Sequence, residues 1–237
     1  MLSSSSPRGD VSIEANHIIS GTTLKDVWEL SIVGLLGAQD TLLTGSDTAG
    51  DFIDWQAITL VCNDPTALPQ ISEYYPYPSL IAEYSNQLLS TSRRIGDFGS
   101  ISERIYNWPL PDGKHLNQYD RVVELLEGDP GSRRALITIW DPFADLSPEA
   151  DAPISHCFLH FSIRATSLNL TVVSRSVDAM MGAVPNMIAF TALQTQMAVR
   201  LGVAVGRYRQ FVFSYHMYVI SVPHVQRLMD RVMGQGE

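Results

Sequence analysis

Pro153-Ile154-Ser155-His156-Cys157, continued by the alternating run Phe158 to Ile163, decides how the rest of this sequence reads. The chain then turns at Ala165-Thr166-Ser167 and runs from Leu168 through Val173 into Ser174-Arg175-Ser176-Val177-Asp178. Alternating runs on both sides of a short polar turn predict two paired strands. Their ends bring a hydroxyl, an imidazole, a thiol, a guanidinium and a carboxylate to one area, and any chemistry is expected there.

Working outward, Pro185-Asn186 precedes the strongest helical pattern, with Phe190, Leu193, Met197 and Leu201 on one face and Gly202 as its stop. Phe211 to Ile220 reads as a strand, and Pro223 as part of the first turn of a last helix. Upstream, Ala135 to Trp140 is a short strand, and Asn117 starts a helix that breaks at Gly128-Asp129-Pro130. The stretch from Arg93 to Trp108 is irregular. Ser79 caps a helix reaching about Leu89, with Ile81, Tyr84 and Leu88 on one face. Trp55 to Cys62 is a strand, Gly45 to Asp54 is turn-rich, and Thr23 caps a helix that stops at Gly37. Residues 1–16 are Ser-rich and read as a loose arm. Helices and strands mix without a regular βαβ beat, so the expected architecture is one α+β layered domain spanning 1–237.

Composition narrows the function. The 237 residues include 45% hydrophobic and 17% charged residues, an ordinary globular balance, with a formal net charge of −9. That charge opposes a general nucleic-acid surface, which needs clustered cations. Two cysteines, Cys62 and Cys157, make no disulfide framework and fit a reducing compartment. No apolar run approaches membrane-spanning length, and the first residues lack a signal-peptide core, so a cytoplasmic, soluble protein is expected. Metal-binding spacings, glycine-rich phosphate loops and the GxSxG elbow are not found.

Several side chains suit a phosphorylated ligand. Arg133 and Arg134 follow a turn after Ser132, a solvated basic corner by default. Arg175-Ser176 adds a guanidinium and a hydroxyl at a strand end, and the two pairs together suit a phosphomonoester. Asn186 offers a donor and an acceptor for a pyrimidine edge, or a helix cap, or both. His216 and Tyr218, two apart on a strand, share a face and suit a sugar hydroxyl or a structural pair.

From about Asp97 to Tyr218 these segments together resemble the thymidylate synthase family, which includes the pyrimidine nucleotide hydroxymethylases. The resemblance is carried by Trp108-Pro109-Leu110-Pro111-Asp112-Gly113, Asp129-Pro130-Gly131-Ser132-Arg133-Arg134, Ile137-Thr138-Ile139-Trp140, Pro153-Ile154-Ser155-His156-Cys157-Phe158, Ser174-Arg175-Ser176-Val177-Asp178, Gly182 with Asn186, and His216-Met217-Tyr218. It implies a mixed sheet with packed helices and a homodimer joined back to back through its sheets. Each phosphate pocket would take Arg175 and Ser176 from one subunit and Arg133 and Arg134 from the other. Asn186 would read the pyrimidine, His216 and Tyr218 would hold the sugar, and His156 and Asp178 would order water around the base. The reaction implied is thiolate addition at C6 of a pyrimidine nucleoside monophosphate. C5 then attacks the one-carbon unit of 5,10-methylenetetrahydrofolate, and no metal takes part.

This chain departs from that pattern where it matters. The nucleophilic cysteine expected immediately before His156 is Ser155, and an unassisted hydroxyl is neither ionised nor strongly nucleophilic at neutral pH. Binding with poor turnover is the expectation. A Cys→Ser replacement is the simplest account and a naturally inactivated relative the second. Cys157 would share a strand face with Ser155 but lie roughly 6–7 Å along it, too far for in-place attack, and is expected to pack in the core. Gln56 stands near where the family's catalytic glutamate is expected, and Ile101-Ser102 replaces a Tyr-Gly pair. The chain also ends at Glu237 without the tail that closes over folate in thymidylate synthases. The missing tail favours 5-hydroxymethylation of CMP or dCMP, which must admit water. A methyl-forming thymidylate synthase acting on dUMP and a non-catalytic nucleotide-binding relative are the alternatives.

Overall fold

The computed structural model describes residues 17–37, 42–47, 50–89, 97–147 and 153–232, and the expected N-terminal arm lies outside them. Its strands are β1 (Ile18–Gly21), β2 (Leu42–Asp47), β3 (Gly50–Cys62), β4 (Trp108–Pro109), β5 (His115–Leu116), β6 (Leu136–Thr138), β7 (His156–Arg164), β8 (Ser167–Asp178) and β9 (Ala204–Tyr218). The helices are α1 (Leu24–Gly37), α2 (Ser79–Leu89), α3 (Asp97–Tyr106), α4 (Gln118–Gly128), α5 (Pro142–Asp145), α6 (Ala183–Leu201) and α7 (Gln226–Val232), with a 3-10 segment at Val219–Val225. Seven strands form one mixed sheet in the order β1-β3-β9-β8-β7-β6, β2 pairing with β3, while β4 and β5 pair separately. The architecture is α+β, as expected.

The expected strand pair is antiparallel β7–β8, closed by Ala165 and Thr166 at φ 45° and 69°. Positive φ at both loop residues matches the right-handed twist of the flanking strands. Parallel β8 and β9 need a crossover, and α6 supplies it. Phe190, Leu193 and Met197 are fully buried along it, each contributing about 1.5–3 kcal/mol. Gly202 ends α6 at φ 67°, its N–H reaching the Ala198 and Val199 carbonyls.

Four expectations change. Helix α6 begins at Ala183, so Asn186 lies inside its first turn instead of capping it; Pro185 is tolerated there because first-turn N–H groups lack helical partners. The stretch read as irregular contains α3, whose inward face combines Ile101 and Ile105 with buried Ser102 and half-buried Arg104. Two apolar residues are too few to announce a helix when tertiary partners satisfy the polar ones. The turn-rich segment is instead strand on both sides, in β2 and β3. Finally, β9 stops at Tyr218 and Pro223 sits in the 3-10 segment ahead of α7.

A seam crosses the sheet. Inward-facing residues in a strand recur every second position, but here the buried series steps by three in three neighbouring strands: Ser174 to Val177, Val212 to Tyr215 and Trp55 to Ile58. These steps are in register, since Val212 pairs with Ser174 and Ile58, and Tyr215 with Val177 and Trp55. Ala57, at φ 56°, takes the turn in β3; β7, beside β8, instead carries a bulge between His156 and Phe158, which keeps His156 and Leu159 opposite the inward-facing Ser174 and Val172. Strands β8, β9 and β3 thus reverse their faces along one line. Trp28, wholly buried on α1, donates its indole N–H to the Ala179 carbonyl (2.9 Å) just beyond Asp178, tying α1 to the end of β8.

Candidate active site

Where β7 begins, β8 ends and α6 starts, a cavity of ≈ 160 Å³ opens between α2, α3 and the sheet. Its polar wall is Ser155, His156, Ser176, Asp178 and Asn186. Five sequence-predicted residues therefore converge, four because they occupy the ends of consecutive elements and Asn186 because α6 starts early.

The segment carrying Ser155 is held from two sides. Asp145, at the end of α5, accepts from the Ile154 N–H (3.2 Å), the Asp141 N–H (2.8 Å) and both terminal nitrogens of Arg104. Arg104 also donates to the Ile139 carbonyl at 2.7 Å. From the other side, Arg175 donates from Nε to the Ile154 carbonyl (3.0 Å), from a terminal nitrogen to the Pro153 carbonyl (2.6 Å), and from its backbone N–H to the Ser155 carbonyl (2.8 Å). The guanidinium lies over Trp140, 5.6 Å from the ring centroid. A guanidinium has five N–H donors. Those spent on the backbone leave others for an anion.

His156 is 2% exposed, and its Nδ1 stands 2.8 Å from the Ser174 hydroxyl. Its ring meets Phe190 edge-on, centroids 4.8 Å apart. Burial pulls its pKa down to about 4, against a smaller opposing influence from the Asn186 amide, and the nearby positive charge of Arg175 lowers it further. The imidazole is therefore neutral at pH 7. An unfolded histidine titrates near 6.5, so the folded state is expected to lose stability as pH falls from there to about 4. His156→Gln should flatten that part of the pH–stability curve; an unchanged slope would refute the assignment.

Asp178 turns one carboxylate oxygen to the Met180 and Met181 N–H groups (2.7 and 3.0 Å), which fixes the loop into α6. A Cβ on Gly182 would stand 3.2 Å from the Asp178 carbonyl and 3.3 Å from Asn186 Nδ2. The missing side chain lets the Asn186 amide lie close to the backbone. Ser176 Oγ lies 3.2 Å from His216 Nδ1, and the His216 ring meets Tyr218 edge-on at 5.6 Å. His216 is thus one hydrogen bond behind the cavity wall.

Other sequence-predicted residues are not gathered here. Arg133 and Arg134 are exposed; Arg134 lines a separate recess with Arg121 and Glu124. Gln56 is exposed, donates to Asp54 (3.3 Å) and does not line the cavity. Strand alternation predicts that Ser155 and His156 diverge and that Ser155 and Cys157 share a face. Instead Ser155 precedes the strand and lines the cavity beside His156, while Cys157 sits in the β7 bulge outside the lining. Burial pushes the Cys157 thiol up, away from the reactive thiolate. Tyr84 and Ile101, read from sequence only as a helix face and as a departure, also line the cavity. Among the described residues no group of three or more His, Cys, Asp or Glu could hold a metal ion, and no helix is long and apolar enough to cross a membrane.

The thymidylate synthase family model matches residues 72–235. A protein named "Putative thymidylate synthase" from Methanocaldococcus jannaschii is 33% identical over 156 residues, covering 64% of this chain and 69% of that protein. The chain belongs to the thymidylate synthase family. Its members transfer a one-carbon unit to a pyrimidine nucleotide, with methylenetetrahydrofolate as co-substrate.

Proposed function

We propose that this protein acts as a 5-hydroxymethylase of a pyrimidine nucleoside monophosphate, CMP or dCMP, with methylenetetrahydrofolate as one-carbon donor. The observation that carries the proposal is the convergence of Ser155, His156, Ser176, Asp178 and Asn186 on one cavity, with Arg175 behind it. Position 155 takes the nucleophile's place beside C6 of the base. Asn186 meets the pyrimidine edge, His216 and Tyr218 face the sugar, and His156 and Asp178 order water. That polar wall accommodates the water that must attack the exocyclic methylene carbon to give a hydroxymethyl group; methyl formation must exclude it. Methylation of dUMP is the second reading, favoured by the suitability of the Asn186 amide for uracil. Incubating the Ser155→Cys protein with CMP, dCMP, UMP or dUMP and methylenetetrahydrofolate separates the two. Mass spectrometry showing only 5-methyl products would overturn the hydroxymethylase reading.

The working unit is a homodimer in which Arg133 and Arg134 of the partner subunit complete the phosphate pocket. Supporting this, both arginines are exposed and away from their own cavity, and Phe213 on β9 is 53% exposed. Arg133→Ala and Arg175→Ala are each expected to weaken CMP binding about 10–100-fold, the scale of a charge-assisted hydrogen bond. Mixing the two mutants should restore tight binding at a fraction of sites. Calorimetry of the mixture that shows no recovered sites would rule out sharing.

A further inference from the structure

Behind His156 runs a line of polar side chains, Ser174, Gln210 and Tyr208, that the proposed chemistry does not use. The Tyr208 hydroxyl is 2.9 Å from Gln210 Oε1, Gln210 Nε2 is 3.0 Å from Ser174 Oγ, and Ser174 Oγ is 2.8 Å from His156 Nδ1. Tyr208, Gln210 and Ser174 are 0% exposed and His156 is 2% exposed. All four sit on adjacent strands on the same side of the seam, so the chain passes through the sheet's interior to the cavity wall.

The direction of proton donation follows from its far end. Burial keeps the Tyr208 phenol protonated, and that proton needs an acceptor, since a buried donor left unpaired costs about 1–3 kcal/mol. Gln210 Oε1 accepts it. The Gln210 amide nitrogen is then the atom facing Ser174, whose oxygen accepts. The Ser174 proton in turn has His156 Nδ1 as its acceptor. Reversing the Gln210 amide would reverse every step but leave the phenol proton without its partner.

We infer that Tyr208, Gln210 and Ser174 are positioning residues that hold His156 as the tautomer protonated at Nε2. The ring then offers the cavity side a fixed N–H donor and no general base. Asn186 lies in the same cavity wall with its carbonyl oxygen buried and without a hydrogen-bond donor, so a proton fixed at His156 Nε2 is available to it. A tyrosine at the far end of the chain thus sets which way the base-reading amide faces. This last consequence rests on the proposed function; the tautomer does not.

Two-bond proton–nitrogen NMR of the ¹⁵N-labelled protein reads the ring directly. The unmodified protein should show Nε2–H, and Tyr208→Phe, which keeps the buried ring but removes the terminal proton, should show mixed tautomers. Ser174→Ala should do the same, and Ser174→Thr should retain the original pattern. CMP titration should show about 3–10-fold weaker binding in Tyr208→Phe. An Nδ1–H ring in the unmodified protein, or a ring unchanged in both Tyr208→Phe and Ser174→Ala, overturns the inference. If the ring responds but the unmodified protein does not bind CMP, the inference about the tautomer stands and the nucleotide reading fails.

Discussion

Replacing Ser155 by cysteine is expected to raise turnover on the order of 10⁴–10⁶-fold, the scale on which an enzyme feels the loss of its attacking nucleophile. A serine needs a base within reach, and its neighbour His156 does not serve: Nδ1 is occupied by Ser174, and the ring is neutral and fixed by packing on Phe190. A cysteine needs less help. Its thiolate would stand where Arg175 grips the backbone of the same segment, and a neighbouring guanidinium favours the ionised form. Single-turnover kinetics with CMP and methylenetetrahydrofolate measure the effect. Adding Cys157→Ser to the active protein should leave the rate unchanged, because Cys157 lies outside the cavity. A Ser155→Cys protein that binds CMP tightly and forms no product would instead identify a non-catalytic nucleotide-binding relative.

The second large effect concerns stability. Asp145 is buried, and Ala in its place strands Arg104 and removes the acceptor for the Ile154 N–H. Breaking a buried ion pair from one side costs about 3–5 kcal/mol, which for a chain of this size lowers Tm by roughly 6–20 °C. Thermal unfolding tests this, and a Tm within a degree of the parent would exclude the clamp. Replacing both partners by apolar residues should cost much less, because no charge is left stranded. The same carboxylate supplies an acid limit. Burial alone would raise its pKa, but Arg104 and the Asp141 and Ile154 N–H groups outweigh this and hold it below the ordinary value. A depressed folded pKa means that its contribution is complete above about pH 4 and is lost as pH falls through the folded value. Asp145→Ala should therefore lose the acid-sensitive part of its stability curve.

Much of this was readable from local pattern. The β7–β8 pair, α1, α2, α4 and most of α6 carry enough periodic residues, with turn or cap residues at their ends, to announce themselves. Asn117, for example, does accept the Asp120 N–H as an N-cap. Helix α3 was hidden because Arg104 faces inward to satisfy Asp145, 41 positions away. No local rule joins residues in α3 and α5. The cavity residues were legible because they stand at element ends beside one another, whereas their tethers were not. Arg175 reads as a phosphate ligand and turns out also to bind three backbone carbonyl groups with its side chain and main chain. The seam was illegible for a simpler reason: alternation assumes an unbroken pleat, and Ser155 to Cys157 lies where that assumption fails.

The seam also limits how this sequence can evolve. Deleting one residue from β8 near Arg175 would restore ordinary alternation in that strand alone and turn over every side chain beyond it. Ser176 and Asp178 would then leave the cavity while Ser214 and His216, their partners on β9, stayed in place. A viable length change has to occur in neighbouring strands at once, which single insertions or deletions cannot achieve. Point substitutions remain open to the lineage, so new substrates must be reached by exchanging side chains within a fixed count of residues. In a library of single-residue deletions, the three seam segments should be among the least tolerant parts of the sheet, and the β7–β8 turn at Ala165 among the most tolerant.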